Sequence, residues 1–328
     1  MTMHSQNIYL ASYLAPLAPF LDRADVTDIY VNRPGEVWLD AYGAASERHL
    51  VPGLTREVLH RLVRQIAALS AQGISRQHPL LAAALPSGER VQIVVPPATR
   101  GDIAIAIRKQ IVADLSLDDF AKADGLLLPS ISSGDLGTPS EQHIEPDRDI
   151  SAFLRHAVRE RRTLLICGGT SSGKTTLLNG LLREIPADER LISIEDTPEL
   201  DVRHENAIGL VAARGALREA DVDANDLLIA SLRMRPDRII LGEVRGPEAI
   251  TFLRAINTGH PGSMTTIHAN SCEGAIEQLA FLALQGDLNL RWHDLLSYIR
   301  ASIDIVINVK RRKGVTEIDS VNFISKMR

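Results

Sequence analysis

The chain has 328 residues, 45% of them hydrophobic and 23% charged, with a formal net charge of −5. That length suits two modest cores, and the composition excludes global disorder. Two cysteines, Cys167 and Cys272, exclude a disulfide framework or a four-cysteine zinc module, and no apolar run reaches the ~18–20 residues of a membrane span.

In chain order, the apolar stretch Ile8 to Leu21 carries Pro16 and Pro19 with no basic residue ahead of it, which makes a poor secretory signal. The chain is therefore expected in the cytoplasm. Ile29–Val31 and Glu36–Leu39 read as strands around the turn sequence Asn32-Arg33-Pro34-Gly35. From Thr55 to Ser70, Leu59, Leu62, Val63 and Ile66 recur at three- and four-residue spacing behind a threonine cap, which predicts an amphipathic helix. Arg90–Val95 and Ile103–Arg108 read as further strands, and residues 1–117 as a small α+β domain. Residues 118–149 carry eight acidic and two basic side chains together with Pro129, Pro139 and Pro146, and read as an acidic linker of net charge −6. The remainder nets +1, too balanced for a nucleic-acid surface, so direct nucleic-acid binding is not expected. Beyond the linker, strand-like Thr163–Cys167, Leu191–Ile194, Arg238–Leu241 and Met264–Ile267 alternate with helical pieces such as Thr175–Glu184 and Asp226–Met234. The alternation predicts an α/β domain with a parallel sheet over residues 150–328.

Gly168-Gly169-Thr170-Ser171-Ser172-Gly173-Lys174-Thr175 fits the eight-residue P-loop pattern, between an apolar strand and an amphipathic helix. Average residue frequencies give such a match by chance about once in a hundred chains of this length. Gly168 and Gly173 are expected to adopt backbone angles that a side chain blocks, turning successive amides inward on phosphates. The helix N-terminus adds positive charge at the same point. Lys174 is expected to reach the β- and γ-phosphates and the Thr175 hydroxyl to bind the bridging Mg²⁺, with Thr176 next in the binding segment. The pattern implies ATP or GTP binding.

Acidic groups follow. Glu195 comes directly after the strand Leu191–Ile194, and strand C-terminal ends gather around the phosphates in such sheets. It reads as facing the γ-phosphate, with a turn cap as the alternative. Arg238–Leu241 followed by Gly242-Glu243 resembles a Walker B strand in which glycine stands where an aspartate often does. Glu243 is then the candidate for the metal, through a bound water; the alternative is an exposed carboxylate after a buried strand. His268 ends the fourth strand beside Thr265, Thr266 and Asn270, and reads either as a γ-phosphate sensor or as a structural histidine; His260 is balanced between the two. Lys310-Arg311-Arg312-Lys313, ahead of Gly314, reads as a solvated hairpin turn, with anionic lipid the second reading.

Taken in order, the P-loop, Ile194-Glu195-Asp196-Thr197-Pro198-Glu199-Leu200, Leu241-Gly242-Glu243-Val244-Arg245-Gly246 and the box from Thr258-Gly259-His260 to His268-Ala269-Asn270 resemble the secretion ATPase superfamily of type II and type IV secretion and type IV pili. The segments Val31–Val37, Gly88–Val94 with Pro96-Pro97, Ile105–Lys109 and Leu232–Pro236 are similar to its VirB-eleven branch, the traffic ATPases of type IV secretion and conjugation. The type II branch commonly carries a four-cysteine module, which this chain lacks. The resemblance implies a RecA-like ATPase domain behind the α+β domain, and a homo-hexamer of two stacked rings that hydrolyses ATP with Mg²⁺. It implies that Glu195 is the general base, Glu243 the Walker B acid, and Arg90 and Arg108 the arginines that approach the phosphates. It further implies partners among the inner-membrane components of a secretion machine, with peripheral attachment to that membrane. The alternation of Ile103, Ile105 and Ile107 independently sets Arg108 on the opposite strand face. The alternatives are a type II or pilus motor, and a nucleotide-gated platform that barely turns over.

Overall fold

The computed structural model describes residues 3–41, 44–70, 72–109, 116–121, 130–133, 150–212, 221–286, 290–312 and 315–324. The chain divides into two compact units, Met1–Ile111 with Ala213–Asp221, and Val112–Ala212 with Val222–Arg328.

In the first unit, α1 (Met3–Leu14) and α2 (Ala18–Leu21) precede β1 (Val26–Val31), β2 (Glu36–Ala41), β3 (Glu47–Leu50) and α3 (Arg56–Leu69). Then come β4 (Leu80–Ala84), β5 (Arg90–Val94) and β6 (Ala104–Arg108). The six strands pair antiparallel in the order β3-β2-β1-β6-β5-β4. Helix α3 forms where the apolar spacing places it: Thr55 Oγ1 accepts the Val58 amide at 3.3 Å, and Leu59, Leu62, Val63 and Ile66 are buried. A threonine cap of this kind stabilises a helix by about 1 kcal/mol. In β6, Ile105 and Ile107 point into the core while Arg108 is exposed, as strand alternation requires.

The second unit runs through α4 (Leu117–Ala121), β7 (Ser130–Ser133), α5 (Ile150–Arg159), β8 (Leu164–Gly168), α6 (Lys174–Leu182), β9 (Leu191–Glu195) and β10 (Ala207–Val211). It continues with α7 (Ala224–Ser231), β11 (Arg238–Leu241), α8 (Glu248–Asn257), β12 (Met264–His268), α9 (Cys272–Ala283) and α10 (Trp292–Ser302). The hairpin β13 (Ile305–Arg312) and β14 (Val315–Phe323) ends it. The sheet order is β10-β9-β11-β12-β8-β13-β14-β7, parallel from β10 to β13. Strands β8, β9 and β11 are buried along their whole length, because helices cover both faces of the sheet. One core gathers α7 to α10 and the other α5 and α6.

Two pieces of the segment expected as linker belong to this unit. Helix α4 buries Leu117 and Phe120 in the α5–α6 core, and β7 pairs with β14 at the sheet edge. Those apolar side chains anchor the front of a segment whose average composition is acidic and polar. The rest of it, together with Lys313 of the basic run and the Gly314 that follows, lies outside the described residues. No helix among the described residues is long and apolar enough to cross a membrane.

Candidate nucleotide site

Strand β8 ends at Gly168, and the chain turns through Gly169–Gly173 into α6, which starts at Lys174. Gly173 sits at the N-cap with φ +95°, and Ser171 is also left-handed at φ 57°. A Cβ on Gly173 would stand 2.2 Å from Thr316 Oγ1, so both angle and neighbour demand glycine. Gly168 is needed for a different reason from the one expected. Its backbone angle is ordinary, but a Cβ there would fall 2.4 Å from Ser172 Oγ and 2.5 Å from the Val309 carbonyl oxygen. Gly169 faces open space, Thr170 and Ser171 are exposed, and Thr176 is half-buried on the first turn of α6.

Lys174 is buried, and its Nζ donates to the carbonyl oxygens of Gly168 (3.0 Å) and Gly169 (2.9 Å). Burial pushes its pKa down from 10.5, against the pull of Glu243. Thr175 Oγ1 donates to Glu199 Oε2 at 3.1 Å. Ser172 Oγ is buried without a hydrogen-bond partner among the described residues.

Glu195 ends β9, and its Oε1 accepts the amides of Glu199 (2.7 Å) and Leu200 (2.9 Å). That oxygen therefore caps the following loop. The carboxylate at the Thr175 hydroxyl is instead Glu199, which the sequence analysis did not single out. Its signal was its place four residues after Glu195, past the turn at Pro198. Gly242 explains itself here: a Cβ would approach Glu195 Cγ to 3.1 Å and the Ile194 carbonyl oxygen to 3.4 Å, so an aspartate would crowd Glu195.

Glu243 follows β11 on a loop held by Thr266 Oγ1 to the Gly242 carbonyl (2.7 Å) and by Glu248, which accepts the amides of Arg245 (2.7 Å) and Gly246 (2.9 Å). Its Oε2 accepts from Arg245 Nε at 2.8 Å, and Arg245 also reaches Asp196 Oδ2 at 3.2 Å, tying the loops after β9 and β11 together. His268 Nε2 lies 2.7 Å from Glu243 Oε1, and its Nδ1 lies 3.3 Å from Lys174 Nζ. The imidazole thus stands between the loop lysine and the acid. His260, by contrast, sets Nδ1 3.1 Å from the Ala255 carbonyl oxygen near the end of α8, a structural contact.

Arg90 and Arg108 belong to the first unit, where β5 and β6 set them directly opposite each other. Arg108 Nε donates to Asp28 Oδ1 of β1 at 3.1 Å.

Residues 11–312 match the family described as Type II/IV secretion system protein. The type IV secretion system protein VirB11 of Brucella suis biovar 1 is 41% identical over 306 residues, covering 90% of this chain and 84% of that protein. PtlH of Bordetella pertussis, also a type IV secretion system protein, is 39% identical over 311 residues, covering 92% and 90%. Among solved structures, the VirB11 ATPase from the Brucella suis type IV secretion system, in complex with sulphate, matches at 37% identity with a TM-score of 0.52, covering 97% of this chain and 95% of that one. The Legionella pneumophila ATPase DotB, at 17% identity and TM-score 0.61 over 94% and 79% of the two chains, supports the fold alone. The α/β fold of the second unit is RecA-like. The chain belongs to the type II/IV secretion system protein family, within its VirB11-like, ATP-hydrolysing enzymes.

Proposed function

We propose that the chain hydrolyses ATP to power substrate translocation or pilus assembly by a type IV secretion machine, as a homo-hexamer docked on inner-membrane components of that machine. The observation that carries this reading is the row Lys174–His268–Glu243, a cation and a carboxylate on either side of an imidazole that contacts both, beside a glycine-cornered loop. The similarity to VirB11 and PtlH proteins supports the choice of machine.

The β- and γ-phosphates of ATP lie against the amides of the P-loop, and Lys174 supplies them a point charge. Ser172 Oγ, buried without a hydrogen-bond partner among the described residues, is suited to donate to a phosphate oxygen. The Thr175 hydroxyl and the carboxylates of Glu199 and Glu243 are hard oxygen donors of the kind Mg²⁺ takes. When bound, the ion neutralises charge on the phosphate oxygens. Glu243 is the acid on the metal side, and Glu195 orients the attacking water while its Oε1 holds the loop that carries Glu199. His268 registers the γ-phosphate through its contacts to Lys174 and Glu243. Arg90 and Arg108 supply charge to the γ-phosphoryl oxygens.

The test is steady-state turnover and ATP affinity for Glu195→Gln and Glu243→Gln. Glu195→Gln is expected to keep its affinity and lose roughly 10²–10⁴ in turnover, the usual share of general acid–base catalysis. If it turns over like wild type while Glu243→Gln does not, the two acids exchange roles.

A further inference from the structure

The four-residue basic run at 310–313 is not one surface. In the β13–β14 hairpin Arg311 pairs with Thr316, Lys310 with Glu317 and Val309 with Ile318. Directly opposed residues of an antiparallel pair share a face, and successive residues alternate. Lys310 and Arg312 fall on one face, where both reach Asp319, at 2.8 Å and 2.9 Å. Val309 and Ile318 fall on the other, inside the core that contains Leu177 and Leu178 of α6. Arg311 and Thr316 therefore lie on the α6 side, next to the last pair, Arg312 and Val315, at the end where β13 connects to β14.

That side carries the P-loop. Thr316 packs on Gly173 so closely that a Cβ there would stand 2.2 Å from its hydroxyl, and Val309 packs on Gly168 in the same way. The hairpin thus touches both corners of the loop. Topology also fixes which flank this is. Strand β8 lies between β12 and β13. His268 and Glu243 gather on the β12 flank, and the hairpin borders the β13 flank. A nucleotide with its reacting end at His268 and Glu243 has to send its ribose and base away from them. The hairpin borders the loop on that side, with an exposed arginine on the loop-facing side of the strand.

We propose that Arg311, the strand partner of the Thr316 that packs on the P-loop, is a nucleoside-binding residue, its planar guanidinium packing on the base and ribose of a nucleotide whose phosphates occupy the loop. Arginine suits this position because it stacks on aromatic planes and donates from a fixed fork. The proposal rests on the P-loop being the nucleotide site. Thr316 is a positioning residue: it sets the distance between hairpin and loop and does not itself bind.

The experiment is calorimetric titration of the full chain, with Mg²⁺, by ADP and separately by pyrophosphate. Pyrophosphate presents the phosphates without the nucleoside. Arg311→Ala is expected to weaken ADP about tenfold, the scale of one desolvated cation–π contact, and pyrophosphate less than about twofold. Arg311→Gln, which keeps a long polar chain, should repeat the pattern, and Thr316→Ala should give a smaller loss confined to ADP. Lys174→Ala should weaken both ligands. If the Arg311 variants bind ADP like wild type, or lose ADP and pyrophosphate by equal factors, the nucleoside contact is wrong and the hairpin only braces the loop. If Lys174→Ala leaves both ligands unaffected, the P-loop reading itself falls.

Discussion

Replacing Glu189 by alanine should be among the most damaging single changes outside the nucleotide site. Arg238 opens β11 with a side chain 0% exposed, and Glu189 receives its Nε and Nη2 at 2.7 Å each in a two-pronged pair. The third nitrogen, Nη1, donates to the Val158 carbonyl at 2.7 Å, and Gly262 leaves so little room that a Cβ would sit 2.7 Å from it. Arg161 also donates to Glu189, at 2.9 Å. Burial pushes the Glu189 carboxyl up, but Arg238 and Arg161 outweigh it and the net pKa is lowered. Removing the carboxylate strands a guanidinium that no water can reach, and breaking a buried pair from one side costs about 3–5 kcal/mol. For a unit of roughly 200 residues, with ~2.1 cal/mol/K of unfolding entropy per residue, that lowers Tm by roughly 7–12 °C. The double variant Glu189→Met with Arg238→Met should recover most of the loss, since apolar packing replaces such pairs at little cost. The assay is a thermal melt of the full chain by circular dichroism. A Glu189→Ala protein melting within about 2 °C of wild type would refute the reasoning.

Three further outcomes follow from the same geometry. Glu36 is buried between Arg33 and Arg48, and the hydrogen bond from Arg33 chiefly holds its carboxyl down to about 2 from 4.5. A depressed acid stabilises above its unfolded pKa, so the Tm gap between wild type and Glu36→Gln should be full above pH 4.5 and close as pH falls toward 2, read from melts across that range. Gly173→Ala should cost about 1–3 kcal/mol in strain and abolish ADP binding, with Thr316→Ala returning only the part due to the clash; normal binding by the single variant would remove the cradle geometry. Arg90→Ala should lose roughly 10³ or more in turnover while its Tm stays close to wild type; a parallel loss of both would make Arg90 structural.

The strands of the second unit were legible because a parallel sheet covered on both faces reads as short apolar runs, and the P-loop because phosphate chemistry tolerates few residue types. Helix α3 was legible from a cap and a 3.6-residue rhythm. What escaped depended on contacts far apart in the chain. Glu199 meets Thr175 across 24 residues, and nothing local separates it from Glu195, whose oxygen turns out to hold the loop. Gly168 looked like a conformational glycine, but the chain that crowds it, at Val309, lies 141 residues away. Arg238 looked like the polar start of a strand, and its burial depends on Glu189 and Val158 closing over it. Cys167, directly before the P-loop, sets its thiol 3.5 Å from the carbonyl oxygen of Ser271, 104 residues on, at the cap of α9. Composition averaged over residues 118–149 also hid Phe120, one buried side chain that anchors a helix.

The most direct test of the central claim is phosphate release from saturating ATP, with Mg²⁺, by wild type and Lys174→Ala. The variant loses the side chain that links the loop carbonyls to His268, and it also sheds a charge that burial disfavours, so it should fold at least as stably as wild type. The expected result is robust turnover by wild type and near-complete loss in a Lys174→Ala protein of undiminished Tm. Wild-type turnover by that variant would contradict the assignment of Gly168–Thr175 as the site of hydrolysis.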